Sequence, residues 1–259
     1  MPDPLPPSLR HRVLAGEQLS GLFVQTPHPI VPELLGRLGV EVLCIDAEHG
    51  AMGRETVHAL VAAAPVPALV RVAETSAAAV GSALDAGAAG VLVPRVDSAA
   101  AAAAAVAFAR YPPQGERGIG PARSNGYGRA LPAGLEQAND EVLVAVQIET
   151  RAGLDALDQI AAVQGVDMIF VGPGDLSASL GLAGGIADPA LQEIVAAALA
   201  RSGAAGRARG VFAIDPEQGA HWIGRGVELV LVGSDLAFLA QGVEAAWARL
   251  GRPAHEPPR

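Results

Sequence analysis

Short apolar runs recur along the chain at 19–26, 41–46, 68–72, 90–95, 143–149, 168–172, 210–215 and 229–233. Their length and their content of Val, Ile and Leu predict strands. Segments of helical composition separate them, at 32–38, 54–63, 76–86, 98–110, 151–162, 189–201, 216–224 and 236–250. Eight strands alternating with eight helices predict a (β/α)8 barrel, an α/β fold with parallel strands inside and helices outside. Within 143–149 a period of two puts Ala145, Gln147 and Glu149 on one face and Val144, Val146 and Ile148 on the other. Arg71 likewise shares a face with Leu69, while Val70 and Val72 point the opposite way. Polar groups therefore project away from the helix-covered face.

The stretch from Leu143 to Asp175 reads as strand, helix, strand, with a carboxylate at each strand end. Parallel strands joined through a helix bring Glu149 and Asp175 to the same end of the sheet. Two oxygen ligands there suit a hard divalent cation. Asp97 or Ser98 caps the helix that contains the seven alanines 99–105, and Asp188 with Pro189 marks another helix start. The exception to the alternation is 111–140, rich in Gly, Pro and Arg, which is longer than a plain connection and is expected to be an ordered loop near a site.

The length, 259 residues, fits one barrel domain over 1–259, with 1–15 and 251–259 as peripheral tails. A net charge of −9 and the lack of a long basic run argue against nucleic acid and anionic membrane as partners. Arg201, Arg207 and Arg209 read as a solvated surface cluster. With Cys44 alone there is no internal disulfide, and neither a signal peptide nor a membrane span is discernible, so a cytoplasmic protein is expected. All 18 basic residues counted as Lys plus Arg are arginines. Without lysine there is no Schiff-base aldolase chemistry and no lysine-bound pyridoxal phosphate.

Barrel enzymes carry their reacting groups at the C-terminal ends of the strands. Those ends offer Asp46, Glu48 and His49, then Arg71, then Gln147 and Glu149, then Asp175. Gathering so many polar groups on one rim costs stability unless the site is used. In Gly172-Pro173-Gly174-Asp175-Leu176-Ser177 the glycines permit close backbone approach, and the helix start offers N–H groups to an anion. Gly233-Ser234 keeps a weaker phosphate reading open.

Taken together, Asp46-Ala47-Glu48-His49-Gly50, Val70-Arg71, Leu84-Asp85-Ala86-Gly87-Ala88, Leu92-Val93-Pro94, Arg110-Tyr111-Pro112-Pro113, Gln147-Ile148-Glu149-Thr150 and Gly172-Pro173-Gly174-Asp175-Leu176-Ser177 resemble the HpcH/HpaI aldolase/citrate lyase family. These are metal-dependent pyruvate aldolases of the phosphoenolpyruvate/pyruvate barrel superfamily, such as the 4-hydroxy-2-oxoheptanedioate and 2-dehydro-3-deoxyglucarate aldolases. The resemblance implies that Glu149 and Asp175 bind Mg2+, Mn2+ or Co2+, and that Arg71 stabilises the enolate formed from pyruvate or a similar 2-oxo acid. It implies that His49, paired with Asp46, handles the hydroxyl proton. Gln147 would lie beside the metal, the backbone at Gly172 and Gly174 would hold the substrate carboxylate, and Arg123 would bear on the aldehyde. It further implies a hexamer in which Asp85 reaches a neighbour's site. The departures are Ala51-Met52-Gly53 after the Glu-His-Gly element, Arg95 where an apolar residue is common, and altered neighbours of Arg123.

The expected function is class II retro-aldol cleavage of a 4-hydroxy-2-oxo acid to pyruvate or hydroxypyruvate plus an aldehyde, through a metal-stabilised enolate. Carbon–carbon cleavage beside a ketone needs an electron sink, and without lysine a Lewis acid with a positive partner supplies it. Two alternatives stand beside it. One is a coenzyme A ester lyase of the citrate lyase beta type, against which the lack of a basic patch counts. The other is a catalytically silent 2-oxo acid or metal binding protein.

Overall fold

The computed structural model describes residues 7–131, 133–182 and 185–252. Eight strands, β1 (Leu19–Val24), β2 (Val42–Asp46), β3 (Ala68–Arg71), β4 (Gly90–Val93), β5 (Leu143–Ile148), β6 (Met168–Val171), β7 (Ala208–Ala213) and β8 (Leu229–Ser234), close into a parallel barrel in chain order. β8 returns to pair with β1, so no edge is left open. The expected (β/α)8 barrel is the observed fold.

The period of two in the strands becomes two cores. Inside the barrel pack Phe23, Cys44, Leu69, Leu92, Ala145, Met168 and Phe170. Between strands and helices pack Leu43, Ile45, Val70, Val91, Val144, Val146, Ile148 and Ile169. The faces assigned to 68–72 and 143–149 are those the fold adopts, because burial against helices selects the branched aliphatic face.

The helices are α1 (Leu9–Leu14), α2 (Ile30–Arg37), α3 (Arg54–Ala63), α4 (Ala77–Asp85), α5 (Ala99–Ala109), α6 (Ala133–Glu141), α7 (Arg151–Asp155), α8 (Leu157–Ala161), α9 (Pro173–Leu180), α10 (Pro189–Ala204), α11 (Pro216–Gly224) and α12 (Asp235–Arg249). Ser98 caps α5 and Asp188 caps α10, each side chain accepting from a first-turn N–H. The segment 151–162 is interrupted at Ala156 and forms two short helices.

Part of the expected N-terminal tail is structural. Ser8 caps α1, whose Leu9 and Val13, four residues apart, are buried against Leu19, Leu143 and Leu229 at the start of the barrel strands. Arg10 fastens this plug by donating to Asp167 at 2.9 Å and to the Asp140 carbonyl at 2.9 Å. Of the C-terminal tail, 253–259 lies outside the described residues.

The three arginines expected to be a solvated cluster lie at the surface and also tie elements together. Arg201 pairs with Asp158, Arg207 donates to the Ala161 carbonyl, and Arg209 pairs with Glu228. Among the described residues, no helix is long and apolar enough to cross a membrane.

Candidate active site

The pairing of β2 with β3 sets Asp46 directly beside Arg71. Asp46 is fully buried. Its carboxylate accepts from Arg71 Nε at 2.9 Å and Nη2 at 2.8 Å, from Gln25 Nε2 at 3.0 Å, and from the backbone N–H groups of Glu48 and His49 at 3.2 Å each. Burial opposes its ionisation, but the bidentate guanidinium and the other donors outweigh that and hold the carboxyl below its usual range. Arg71 is in turn held above its ordinary value in spite of burial, chiefly by Asp46. Phe23 lies under its guanidinium at 4.4 Å, and Nη1 is 3.3 Å from Glu48 Oε2. Arg71 is thus fixed from three sides at the edge of the barrel mouth.

At β5 the balance is the reverse. Glu149 is 1% exposed, and no guanidinium pairs with it among the described residues. It accepts from the Arg95 backbone N–H at 2.7 Å and from the Gln147 side chain. Arg95 adopts a φ of 51°, a region seldom used outside glycine, and that backbone bend accompanies the bond to Glu149. The Arg95 side chain is exposed and does not line the cavity. Burial pushes the Glu149 carboxyl up to about 7, with Glu48 and Asp175 adding to the push and the two hydrogen bonds opposing it. Gly172 leaves room for these side chains, since a Cβ would stand 2.6 Å from Gln147 Nε2 and 2.9 Å from Glu149 Oε2 and would displace them.

These groups surround a cavity of about 400 Å³ at the C-terminal end of the strands. His49, Arg71, Gln147, Glu149, Gly174 and Asp175 line it, so six of the expected site residues come together. Asp175 enters from the first turn of α9. Among the described residues no cluster of three or more His, Cys, Asp or Glu side chains forms a complete cage for a metal. The arrangement nevertheless fits a hard cation that keeps positions for water and substrate. The buried Gln147 Oε1 has no hydrogen-bond partner, Glu48 Oε2 likewise has none, and the Glu149 carboxyl is pushed up by burial first and by the like charges of Glu48 and Asp175 second.

One expected pairing is absent. Asp46 does not line the cavity, and its carboxylate is taken by Arg71, so the expected His49–Asp46 side-chain pair is not formed. The His49 ring is 56% exposed, with Nε2 3.9 Å from Glu48 Oε2, beyond hydrogen-bond reach. Asp85 ends α4 and accepts from Arg117 Nη2 at 3.0 Å, while Arg123 donates to the Ala86 carbonyl at 3.2 Å. Barrel helices run against the strands, so this end of α4 lies away from the chain's own cavity. The loop is ordered as expected, its Asn125 carboxamide binding Ala122, Gly128 and Gly120. However, none of the described residues of 111–131 lines the cavity.

The sequence reading missed Gln25 and Phe23, which share the inward face of β1 and its extension and were legible by the parity used for β3 and β5. It also missed the wall formed by Phe170, Ile186, Phe212 and Ile214. The phosphate reading of Gly233-Ser234 fails on local chemistry. Ser234 caps α12 by accepting from Ala237, and Asp235 accepts the backbone N–H groups of Gln25 and Thr26, so the helix start already holds an acid.

The family model HpcH/HpaI aldolase/citrate lyase matches residues 19–241. The hydroxypyruvate/pyruvate aldolase of Deinococcus radiodurans is 39% identical over 244 residues, covering 92% of this chain and 88% of the relative. The 4-hydroxy-2-oxo-heptane-1,7-dioate aldolase of Salmonella arizonae is 39% identical over 242 residues, covering 92% of each. Among solved structures, a HpcH/HpaI aldolase/citrate lyase family protein from Burkholderia cenocepacia superposes with a TM-score of 0.89 at 34% identity, covering 94% of this chain and 98% of that one.

Proposed function

The chain belongs to the HpcH/HpaI aldolase/citrate lyase family, and on that premise we propose that it is a class II pyruvate aldolase. It cleaves a 4-hydroxy-2-oxo acid reversibly to pyruvate or hydroxypyruvate and an aldehyde. The observation that carries this reading is the placing of an immobilised Arg71 and of Glu149 and Asp175, which no guanidinium pairs among the described residues, on one cavity.

A divalent cation such as Mg2+, Mn2+ or Co2+, held by Glu149 and Asp175 with the Gln147 carbonyl beside it, would supply Lewis-acid polarisation of the 2-oxo acid. Arg71 has five N–H donors, of which Asp46 engages two while Nη1 lies 3.3 Å from Glu48 Oε2 without a hydrogen bond, leaving donors for the oxygen on which negative charge develops. In cleavage the C3–C4 bond breaks, its electron pair passes into the enolate of the 2-oxo acid, and the C4 hydroxyl becomes the aldehyde carbonyl by losing its proton. His49 takes that proton, directly or through one water, and its exposure lets the ring exchange it with solvent. Asp46 is a positioning residue that orients Arg71. The backbone at Gly174, in the first turn of α9, accommodates the substrate carboxylate.

The working form in this reading is a cytoplasmic homo-oligomer, a hexamer by resemblance, taking small molecules only. Support for association comes from α12 and its C-cap, where Leu236, Leu239, Val243, Trp247 and the cap residue Leu250 are exposed in one stripe.

The deciding experiment follows exchange of the pyruvate methyl protons for deuterium by NMR. Mg2+, Mn2+ and Co2+ are supplied in turn, with excess chelator as control. Exchange that depends on the cation is expected. No exchange with any of them would overturn the aldolase reading in favour of the ester lyase or the silent binding protein.

A further inference from the structure

The turn after β2 carries Glu48 and His49 side by side, and Asp46 holds it in shape by accepting both of their backbone N–H groups. With Gln25 and Arg71 also bound to it, the Asp46 carboxylate is fully engaged and leaves nothing for the imidazole. Glu48 is in the opposite condition. Its side chain is only 13% exposed, yet the buried Oε2 accepts no hydrogen bond among the described residues. A carboxylate oxygen kept from water without a donor is costly, and such an atom calls for a partner. Two basic nitrogens face it. Arg71 Nη1 lies 3.3 Å away, but that guanidinium is held against Asp46 through Nε and Nη2. His49 Nε2 lies 3.9 Å away, on a cavity-lining ring that solvent rather than packing surrounds. Moving it closer by about 1 Å makes a charge-assisted hydrogen bond, and catalytic hydrogen bonds that are long in the unliganded enzyme tighten in this way when substrate binds.

We propose that Glu48, and not Asp46, is the carboxylate that positions His49, accepting from Nε2–H and leaving Nδ1 as the ring's proton acceptor. This rests on the aldolase reading above and deepens it. A hydrogen bond at one imidazole nitrogen decides which nitrogen is free to act as base. In cleavage the C3–C4 electron pair passes into the enolate and the C4 hydroxyl proton passes to Nδ1, directly or through one water. The imidazolium so formed lies beside the Glu48 carboxylate, which stabilises it and takes no proton itself. Glu48 is therefore a positioning residue that acts through His49.

The test uses the full-length protein, the cation that supports methyl exchange, and two substrates. Cleavage of 4-hydroxy-2-oxobutanoate to pyruvate and formaldehyde needs the hydroxyl proton removed, and this substrate has no substituent on C4 to make demands on the rest of the cavity. Decarboxylation of oxaloacetate forms the same enolate as carbon dioxide leaves, with no hydroxyl proton to remove. Glu48→Gln keeps the size of the side chain and should lower kcat for cleavage by at least about tenfold more than kcat for decarboxylation. Adding Glu48→Gln to His49→Ala should lower cleavage no further, because a positioning residue has no effect without the group it positions. Equal losses in the two reactions overturn the proposal, and so does a double variant that falls below His49→Ala by the factor seen in the unaltered background. Methyl exchange is read on every sample. Its absence from the unaltered protein would mean that the aldolase reading had failed, whereas exchange without any cleavage of 4-hydroxy-2-oxobutanoate would remove the proton step and overturn the assignment of Glu48 alone.

Discussion

Asp46 and Glu149 are both buried carboxylates at strand ends of the same barrel mouth, yet the fold treats them in opposite ways. Asp46 has a guanidinium, a carboxamide and two backbone N–H groups around it and is held ionised below the usual carboxylate range. Glu149 has one backbone N–H and one carboxamide, feels Glu48 and Asp175 nearby, and is pushed to about 7. An acid whose charge is matched within the protein holds a neighbour in place, whereas one whose charge is unmatched is kept for something that arrives from outside. The contrast is one of charge balance, and it is what the roles proposed for Asp46 and Glu149 rest on.

The largest effect expected from this contrast is at Glu149. Glu149→Gln keeps the shape but removes the anionic ligand, and metal-dependent methyl exchange should fall by about 10³-fold or more, as losses at charge-stabilising catalytic groups do. Mn2+ binding, followed by titration calorimetry, should weaken in parallel. Unchanged Mn2+ affinity would place the cation elsewhere.

Next in size is the loss of the matched acid. Asp46→Asn leaves the buried Arg71 without its main counter-charge and should lower unfolding free energy by about 3–5 kcal/mol, measured by urea denaturation. Mn2+ binding should persist in the folded variant. A variant as stable as the parent would show that the pair is not what holds Arg71.

The smallest effect is a pH dependence. The folded-state value of Glu149, about 7, lies above its ordinary value of 4.5. Between those values the folded chain keeps a proton that the unfolded chain has lost, so its contribution is full below 4.5 and is lost as pH rises through 7. Metal-free protein should therefore lose at most about 1.4 kcal/mol of stability per pH unit across this window from this group. Saturating Mg2+ or Glu149→Gln should flatten that component of the melting-temperature profile. A profile identical in all three samples would dissolve the distinction between the two acids.

Much of this was legible along the chain because the reasons are local. Strand parity needs only the period of two, so the inward faces of 68–72 and 143–149 could be read directly, and Glu149, Gln147 and Arg71 with them, while Asp175 followed from its place just after the next parallel strand. The same parity applied to 19–26 would have found Gln25. The side-chain pairing of His49 with Asp46 that the resemblance implied is absent because the β2–β3 register presents Arg71 to Asp46. Residues 9–14 looked like a tail because an amphipathic pattern of one and a half turns is too short to notice without its receptor, the open end of the barrel.

By itself, the sequence determined the barrel, the strand faces, the lysine-free chemistry and the acidic pair on the rim, since alternation and residue type act over a few neighbouring positions. Only the tertiary structure decided which acid is neutralised and which is not, where Asp85 and Arg123 lie, and that Phe170, Ile186, Phe212 and Ile214 also line the cavity. Those properties depend on groups from distant strands meeting in a desolvated space, where charge balance is set by whatever the closed barrel brings within a few ångströms.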